Sequence, residues 1–335
     1  MTPPDALAYD ASAPANRGVR EIIVLDSITT VNVLAASASF QPFLQDASWE
    51  GRVAAVFHRS LLCLVPHAGL LHVHGGPQLV SPFSLRVEGE FARALDEIHL
   101  AHGMRVRKVG AAIDMAEQLH LKLDNVAYYQ SPRHVRAQID PDAVGLARQT
   151  LTMCGRGGGF DQLPNVQTIV MAMQYAVADG NSARMLEATR YLIGLGPGLT
   201  PSGDDFLVGY LRGIWLLRQN QHAACSMLDR LRAGLLPDLA NRTTRVGAEF
   251  IRHALGGAFA EILDSAALTL LAPAQPQAVR SAINRLLTQG ETSGTDTTLG
   301  LLTCLKGLLG SSDHQPRHQW SDAPRSFSTS AVTRG

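Results

Sequence analysis

Glycines, hydroxyls and carboxylates are concentrated in residues 194–205, which read Gly194-Leu-Gly196-Pro-Gly198-Leu-Thr200-Pro-Ser202-Gly203-Asp204-Asp205 and lead into Phe206-Leu-Val-Gly209. Glycine loses more backbone freedom on folding than any other residue, so such a run is costly unless the backbone itself must approach something closely. A row of loop N–H groups, added to those at a helix N-terminus, makes a site for phosphate or carboxylate. Gly196, Gly198, Thr200, Ser202 and Gly203 are the expected anion-binding residues of this loop. Asp204 and Asp205 are expected to do the proton chemistry, with Asp204 positioning an amino group or taking its proton.

The pattern recurs. Ser202-Gly203-Asp204-Asp205 with Gly209, and Ser293-Gly294-Thr295-Asp296 with Gly300, both fit Ser-Gly-x-Asp-x-x-x-Gly and hint at an internal repeat. One reading is structural. Serine at the N-cap with an acid three residues on is a capping box, in which Asp205 and Asp296 reach back to their own caps. Gly209 and Gly300 then let helices approach closely. That reading leaves Asp204 and the glycine run unexplained. The functional reading has both helix N-termini facing one anion-binding cleft, each with roughly half a positive charge. Ser293 and Gly294 join the binding residues, and Asp296 joins Asp204 and Asp205 as catalytic. Such a cleft suits a phosphate, a carboxylate or a developing oxyanion.

Asn241-Arg242-Thr243-Thr244-Arg245 opens a helix expected over Val246–Leu255. Thr243 or Thr244 can cap it. Arg242 and Arg245 oppose the helix dipole, so they are expected to face an anionic ligand or an acidic neighbour. Thr243, Thr244 and Arg245 are therefore further anion-binding candidates. His72 and His74 share one face of a strand. His58 and His67 are close in sequence, yet no clear spacing completes a metal site, and the histidines are read as surface or partly buried. No metal or cofactor is assigned; magnesium on Asp204 and Asp205 is the alternative. Gly155-Arg156-Gly157-Gly158-Gly159 reads as a flexible connection, or else as a mobile lid. Walker and nucleophile-elbow motifs are absent, and Gly194-x-Gly196-x-Gly198 lacks the dinucleotide spacing.

These residues need elements to hold them. The chain has 335 residues, 46% hydrophobic and 17% charged, enough for a large core. Its 29 basic and 29 acidic residues give a formal net charge of zero. No basic excess points to nucleic acid or to an anionic membrane, and a near-neutral chain suits an oligomer or complex. Cys63, Cys154, Cys225 and Cys304 form no Cys-x-x-Cys pair and follow no signal peptide, so reduced, mostly buried thiols in a cytoplasmic protein are expected. Residues 1–19 and 311–335 read as disordered tails. Residues 20–130 carry short apolar runs, among them 21–25, 52–57, 60–65, 69–74 and 78–87, broken by Pro66, Gly69, Gly75 and Gly76; they predict an antiparallel or barrel-like sheet with a helix at Phe91–His102. Residues 131–310 carry helical spacing, with helices expected over Val135–Cys154, Val166–Ala178 and Ser182–Ile193. The runs Phe206–Leu217 and Leu299–Leu309 are too short for a bilayer and read as core helices. The expectation is an α+β protein: a β-rich front, then a mostly helical back that bears the loop.

The signature from Gly194 to Leu207 resembles that of the AllH family, and the Thr243-Thr244 helix start and the Ser293-Gly294-x-Asp296 turn are similar to its further motifs. The resemblance spans roughly residues 20–310, departing at Glu291, where members often carry His. It implies a subunit of oxamate carbamoyltransferase, an assembly of three unlike proteins acting late in anaerobic allantoin breakdown. The implied reaction moves a carbamoyl group between N-carbamoyl-oxamate (oxalurate) and phosphate, giving oxamate and carbamoyl phosphate. The implied partners are an FdrA-like subunit, resembling an acyl-CoA synthetase, and a second subunit. Two other functions stay open on the residues alone: a non-catalytic scaffold or ligand-sensing subunit, and a magnesium-dependent hydrolase using Asp204, Asp205 and Asp296.

Overall fold

Apolar residues at every second position put one face of each front strand into a common interior. On β1 (Thr29–Ser37), Val31 and Val33 are buried while their neighbours are not. In the computed structural model, which describes residues 28–311 apart from 47, 77, 78, 90, 134, 136, 158 and 218–221, this alternation closes into a barrel. The expected tails and the run at 21–25 lie outside the described residues, except Ser311, which ends the last helix.

After β1 come α1 (Gln41–Gln45), β2 (Ser48–Phe57), β3 (Ser60–Val65), β4 (Gly69–His74), β5 (Ser84–Val87), α2 (Phe91–Glu97), β6 (Arg105–Val109), β7 (Ala112–Met115), β8 (Leu119–Lys122) and β9 (Ala127–Tyr129). The strand order is β5-β4-β3-β2-β6-β7-β8-β1, and β1 pairs back onto β5, so eight strands close. Most pairs are antiparallel. β1–β8 and β4–β5 are parallel. Residues 29–32 of β1 pair with β8, and β9 takes over beside residues 35–37. A register shift between Val33 and Ala35 lets β1 bend there to meet β5. The run at 78–87 yields a strand only from Ser84.

The helical part comprises α3 (Pro141–Cys154), α4 (Val166–Ala178), α5 (Ser182–Leu192), α6 (Ser202–Leu217), α7 (His222–Leu235), α8 (Leu239–Arg242), α9 (Arg245–Leu255), α10 (Glu261–Leu268), α11 (Pro276–Leu287) and α12 (Ser293–Ser311). α3 starts later than its spacing suggested, because Asp140 accepts from the N–H groups of Asp142 and Ala143, and Pro141 suits the first helical position. Gly145, on the exposed side of α3, has open space where a Cβ would stand. Gly145→Ala is therefore expected to stabilise the protein by about 0.5–1 kcal/mol, read as a rise in melting temperature. The four cysteines form no disulfide among the described residues; contrary to the expectation of mostly buried thiols, only Cys63 and Cys304 are buried, while Cys225 is intermediate and Cys154 is exposed.

α6 and α12 form the centre of the helical core, and both are buried along almost their whole described length. A Cβ at Gly209 would collide with the Thr297 carbonyl, and one at Gly300 with the Phe206 carbonyl. Gly213 lies against Cys304. Moving four residues along α6 thus moves the contact forward along α12, so the helices run parallel and start at the same end. The barrel is tied to this core through buried charge. Arg212 on α6 and Asp264 on α10, each 1% exposed, lie 2.5 Å apart. The Tyr129 hydroxyl of β9 donates to Asp264 at 2.7 Å, and the Arg212 guanidinium lies over the Phe259 ring. Among the described residues no helix is long and apolar enough to cross a membrane.

Candidate functional site

Gly194, Gly196 and Gly198 have φ of +79°, +111° and +90°, a region that side chains disfavour. That backbone turns the chain from α5 back onto the start of α6. The Gly203 N–H donates to Leu195 O at 2.9 Å and closes the loop. Among the described residues the N–H groups of Gly196, Gly198 and Thr200 donate to no protein acceptor. Gly203 and Gly294 differ from the expectation for them. The Gly203 N–H is spent within the loop, and the Gly294 N–H goes to Gln289 O at 2.9 Å. Both residues are glycine because a Cβ would strike the carbonyls of Leu192 and Leu286. Their part is close packing rather than donation to a ligand.

The two Ser-Gly turns lie side by side. The Thr200 and Ser293 hydroxyls are 3.2 Å apart. The capping-box geometry is not the one found, because each carboxylate faces the serine of the other helix start as well as a threonine just before its own helix. The Ser293 and Thr200 hydroxyls lie beside Asp205 of α6 and favour its charged form. Asp296 of α12 accepts from the Phe160 N–H at 2.8 Å, and the Ser202 and Thr292 hydroxyls beside it favour its charged form. One oxygen of each, Oδ2, is buried without a hydrogen-bond partner among the described residues. Burial pushes the Asp205 carboxyl up to about 7, since its hydroxyl partners only partly offset desolvation and Asp296 adds like charge. Asp296 is raised for the same first reason.

Asp204 points elsewhere, as adjacent acids on a helix must. Its oxygens accept from the Gly194 N–H at 2.8 Å and from the Thr243 hydroxyl. It packs against Gly247, where a Cβ would overlap it. Desolvation pushes it up to about 6 against those two hydrogen bonds. Thr243 therefore holds Asp204, while Thr244 caps α9, accepting from Gly247 N–H at 3.0 Å and donating to Leu199 O. Three helix starts thus surround the loop, each with a carboxylate of another segment nearby.

Of the two expected cations, Arg242 faces an acidic neighbour, Asp238, at 2.7 Å. Arg245 is exposed and makes no ion pair among the described residues. His72 and His74 stand apart from this site, on β4 of the barrel. Their rings are 5.1 Å apart, and burial lowers both to about 4, so they are neutral at pH 7. Among the described residues no group of three or more His, Cys, Asp or Glu gathers as a metal cage, and this includes Asp204, Asp205 and Asp296.

Sequence reasoning missed the strap that residues 155–157, 159 and 160 form. Gly159 packs against the Asp296 carboxylate so closely that a Cβ has no room. Phe160 stacks on Phe206 of α6, centroids 4.0 Å apart and planes 6° from parallel. The Arg156 N–H donates to Thr295 Oγ1 at 2.9 Å. The signal was available: glycines around a lone arginine mark a backbone that must come close to something, as in the 194–198 run.

Fold and site together define an α+β protein with a closed front barrel and buried carboxylates exchanged between two parallel helix starts. Residues 192–305, about a third of the chain and the part that builds this site, match the model of the AllH family, described as oxamate carbamoyltransferase subunit AllH. The likeness read from the Gly194–Leu207 signature holds over that stretch, and the family is a subunit of a carbamoyltransferase. No solved structure matches the chain.

Proposed function

We propose that this chain contributes the carbamoyl-transfer site of a heteromeric oxamate carbamoyltransferase acting in allantoin breakdown, working in the cytoplasm with an FdrA-like subunit and a second partner. The observation that carries this reading is the meeting of the α6 and α12 starts, with Asp205 and Asp296 crossed between them. The reactants are anionic: phosphate, oxamate, oxalurate and carbamoyl phosphate. The N–H groups of Gly196, Gly198 and Thr200, the hydroxyls of Ser202, Thr244 and Ser293, and Arg245 would hold and orient them.

In the phosphorolytic direction a phosphate oxygen bonds to the carbamoyl carbon, the bond from that carbon to the oxamate nitrogen breaks, and the nitrogen takes up a proton. In the reverse direction the oxamate nitrogen attacks carbamoyl phosphate and loses that proton. Asp205, with one oxygen unpartnered and ionisation near neutrality, suits giving and taking it. Asp204, with both oxygens engaged, suits positioning of the loop through Gly194. Asp296 sets the charge that Asp205 feels.

The crossed carboxylates also favour a second reading, since they already place negative charge at each helix start: a ligand-sensing or scaffolding subunit, with the chemistry in a partner. The test is reconstitution. The three purified proteins together should form oxalurate from oxamate and carbamoyl phosphate. Wild-type chain should support that turnover, and a chain carrying both Asp205→Asn and Asp296→Asn should assemble but not turn over. Full turnover with the doubly substituted chain overturns the catalytic reading in favour of the scaffold.

A further inference from the structure

We infer that Arg156 is the anion-recognising residue of this site, reading the carboxylate or phosphoryl group of a reactant at the rim of the α12 start. The inference rests on the proposed site but concerns a residue that the signature does not include.

The guanidinium is placed with care. Nη1 donates to Gly290 O at 3.1 Å and Glu291 O at 3.4 Å, the carbonyls just before α12. The Arg156 N–H is fixed on Thr295, and Gly155 beside it packs against the Thr295 methyl. The backbone of the strap is thus pinned at both Thr295 and Asp296. Yet the cation has no carboxylate partner among the described residues, and it is exposed. A positive charge at a helix N-terminus is opposed by the dipole. Carbonyls orient an arginine without neutralising it. A fork held from one nitrogen keeps other N–H groups for a planar or tetrahedral anion.

The buried side of the same junction points to a ligand independently. Asp205 and Asp296 are 9% and 2% exposed, and each keeps one oxygen without a partner. Buried carboxylate oxygens lacking donors are completed by a ligand that brings N–H groups. A carbamoyl or amide nitrogen supplies them at the buried end, and the negative group of the same reactant then meets Arg156 at the rim. Arg156 therefore sets which anion is accepted and how its amide end is presented.

The experiment is steady-state kinetics of the reconstituted complex with oxamate and carbamoyl phosphate varied separately, for wild type, Arg156→Ala, Arg156→Lys and Asp205→Asn. Removing a charge-assisted hydrogen bond should raise KM for one reactant by about 10- to 100-fold while kcat changes little. Lysine, which restores charge but not the fork, should recover part of it. A rise confined to oxamate assigns the carboxylate, and one confined to carbamoyl phosphate assigns the phosphoryl group. Unchanged KM values for Arg156→Ala, with turnover abolished in Asp205→Asn, overturn the role of Arg156 and leave the site standing. A loss of kcat at unchanged KM also overturns it. Wild-type kinetics in both Arg156→Ala and Asp205→Asn remove the site itself.

Discussion

Asp205→Asn is expected to lower carbamoyl transfer by the assembled complex about 100-fold or more, the range over which a positioned acid or base acts. Asparagine keeps the shape and an oxygen to accept from Ser293 and Thr200, so the helix starts should stay in place. It cannot exchange a proton. Wild-type carbamoylation of oxamate should therefore rise with pH through about 7, where Asp205 becomes ionised, and phosphorolysis should fall over the same range. The variant should lose this inflection along with its turnover. Stability gives a second readout whose sign is fixed. The folded-state value for Asp205, about 7, lies above the ordinary 3.8, so the folded protein holds a proton that the unfolded chain has released. The stability this group contributes is present at low pH and is lost as pH rises to about 7. Relative to wild type, Asp205→Asn should thus melt at a higher temperature at pH 8 than it does at pH 5. An offset equal at both pH values would show that Asp205 does not titrate between them.

Gly209→Ala and Gly300→Ala are each expected to cost about 3 kcal/mol or more, a melting-temperature loss of roughly 5 °C or more, or to prevent folding. The reason lies in what the new methyl would meet. At Gly209 it is the Thr297 carbonyl with Leu301 N behind it, and at Gly300 the Phe206 carbonyl with Tyr210 N behind it. These are backbone atoms of buried helices, and no side chain can swing aside. The two central helices would have to separate, carrying Asp205 from Ser293 and Asp296 from Ser202. Thermal unfolding of both variants checks this, with Gly145→Ala as the exposed glycine that behaves oppositely. A loss below about 1 kcal/mol in either buried variant would mean that the helix pair yields more easily than its packing indicates.

The pairing of α6 with α12 was legible because a local pattern occurs twice. Ser-Gly-x-Asp-x-x-x-Gly marks a helix start and a close approach, and two copies of it suggested a common cleft. The partners of Asp205 and Asp296 were not legible. Spacing within one segment reports the contacts of that segment, and a capping box is the local solution. The observed one spans 88 residues from Asp205 to Ser293, which only the parallel packing creates. β3 and β4 followed from apolar runs bounded by Pro66, Gly69 and Gly75. Closure through β1 and β5 did not, because Val33 and Val87 are far apart in sequence and the register shift on β1 has no residue signature. α4 was read to its ends, since its apolar stripe is continuous. Arg156 was passed over because a glycine run signals either freedom or close approach, and only Asp296 lying against Gly159 decides between them.

The crossed hydroxyl–carboxylate contacts have a further meaning for how this protein can change. Ser202 serves Asp296 and Ser293 serves Asp205, so neither half of the repeat owns a complete set of partners. A drift in one arm strands a group in the opposite arm. Tolerated inherited changes must then come as matched pairs bridging the seam, and the two copies stay locked in mutual dependence however freely the barrel diverges.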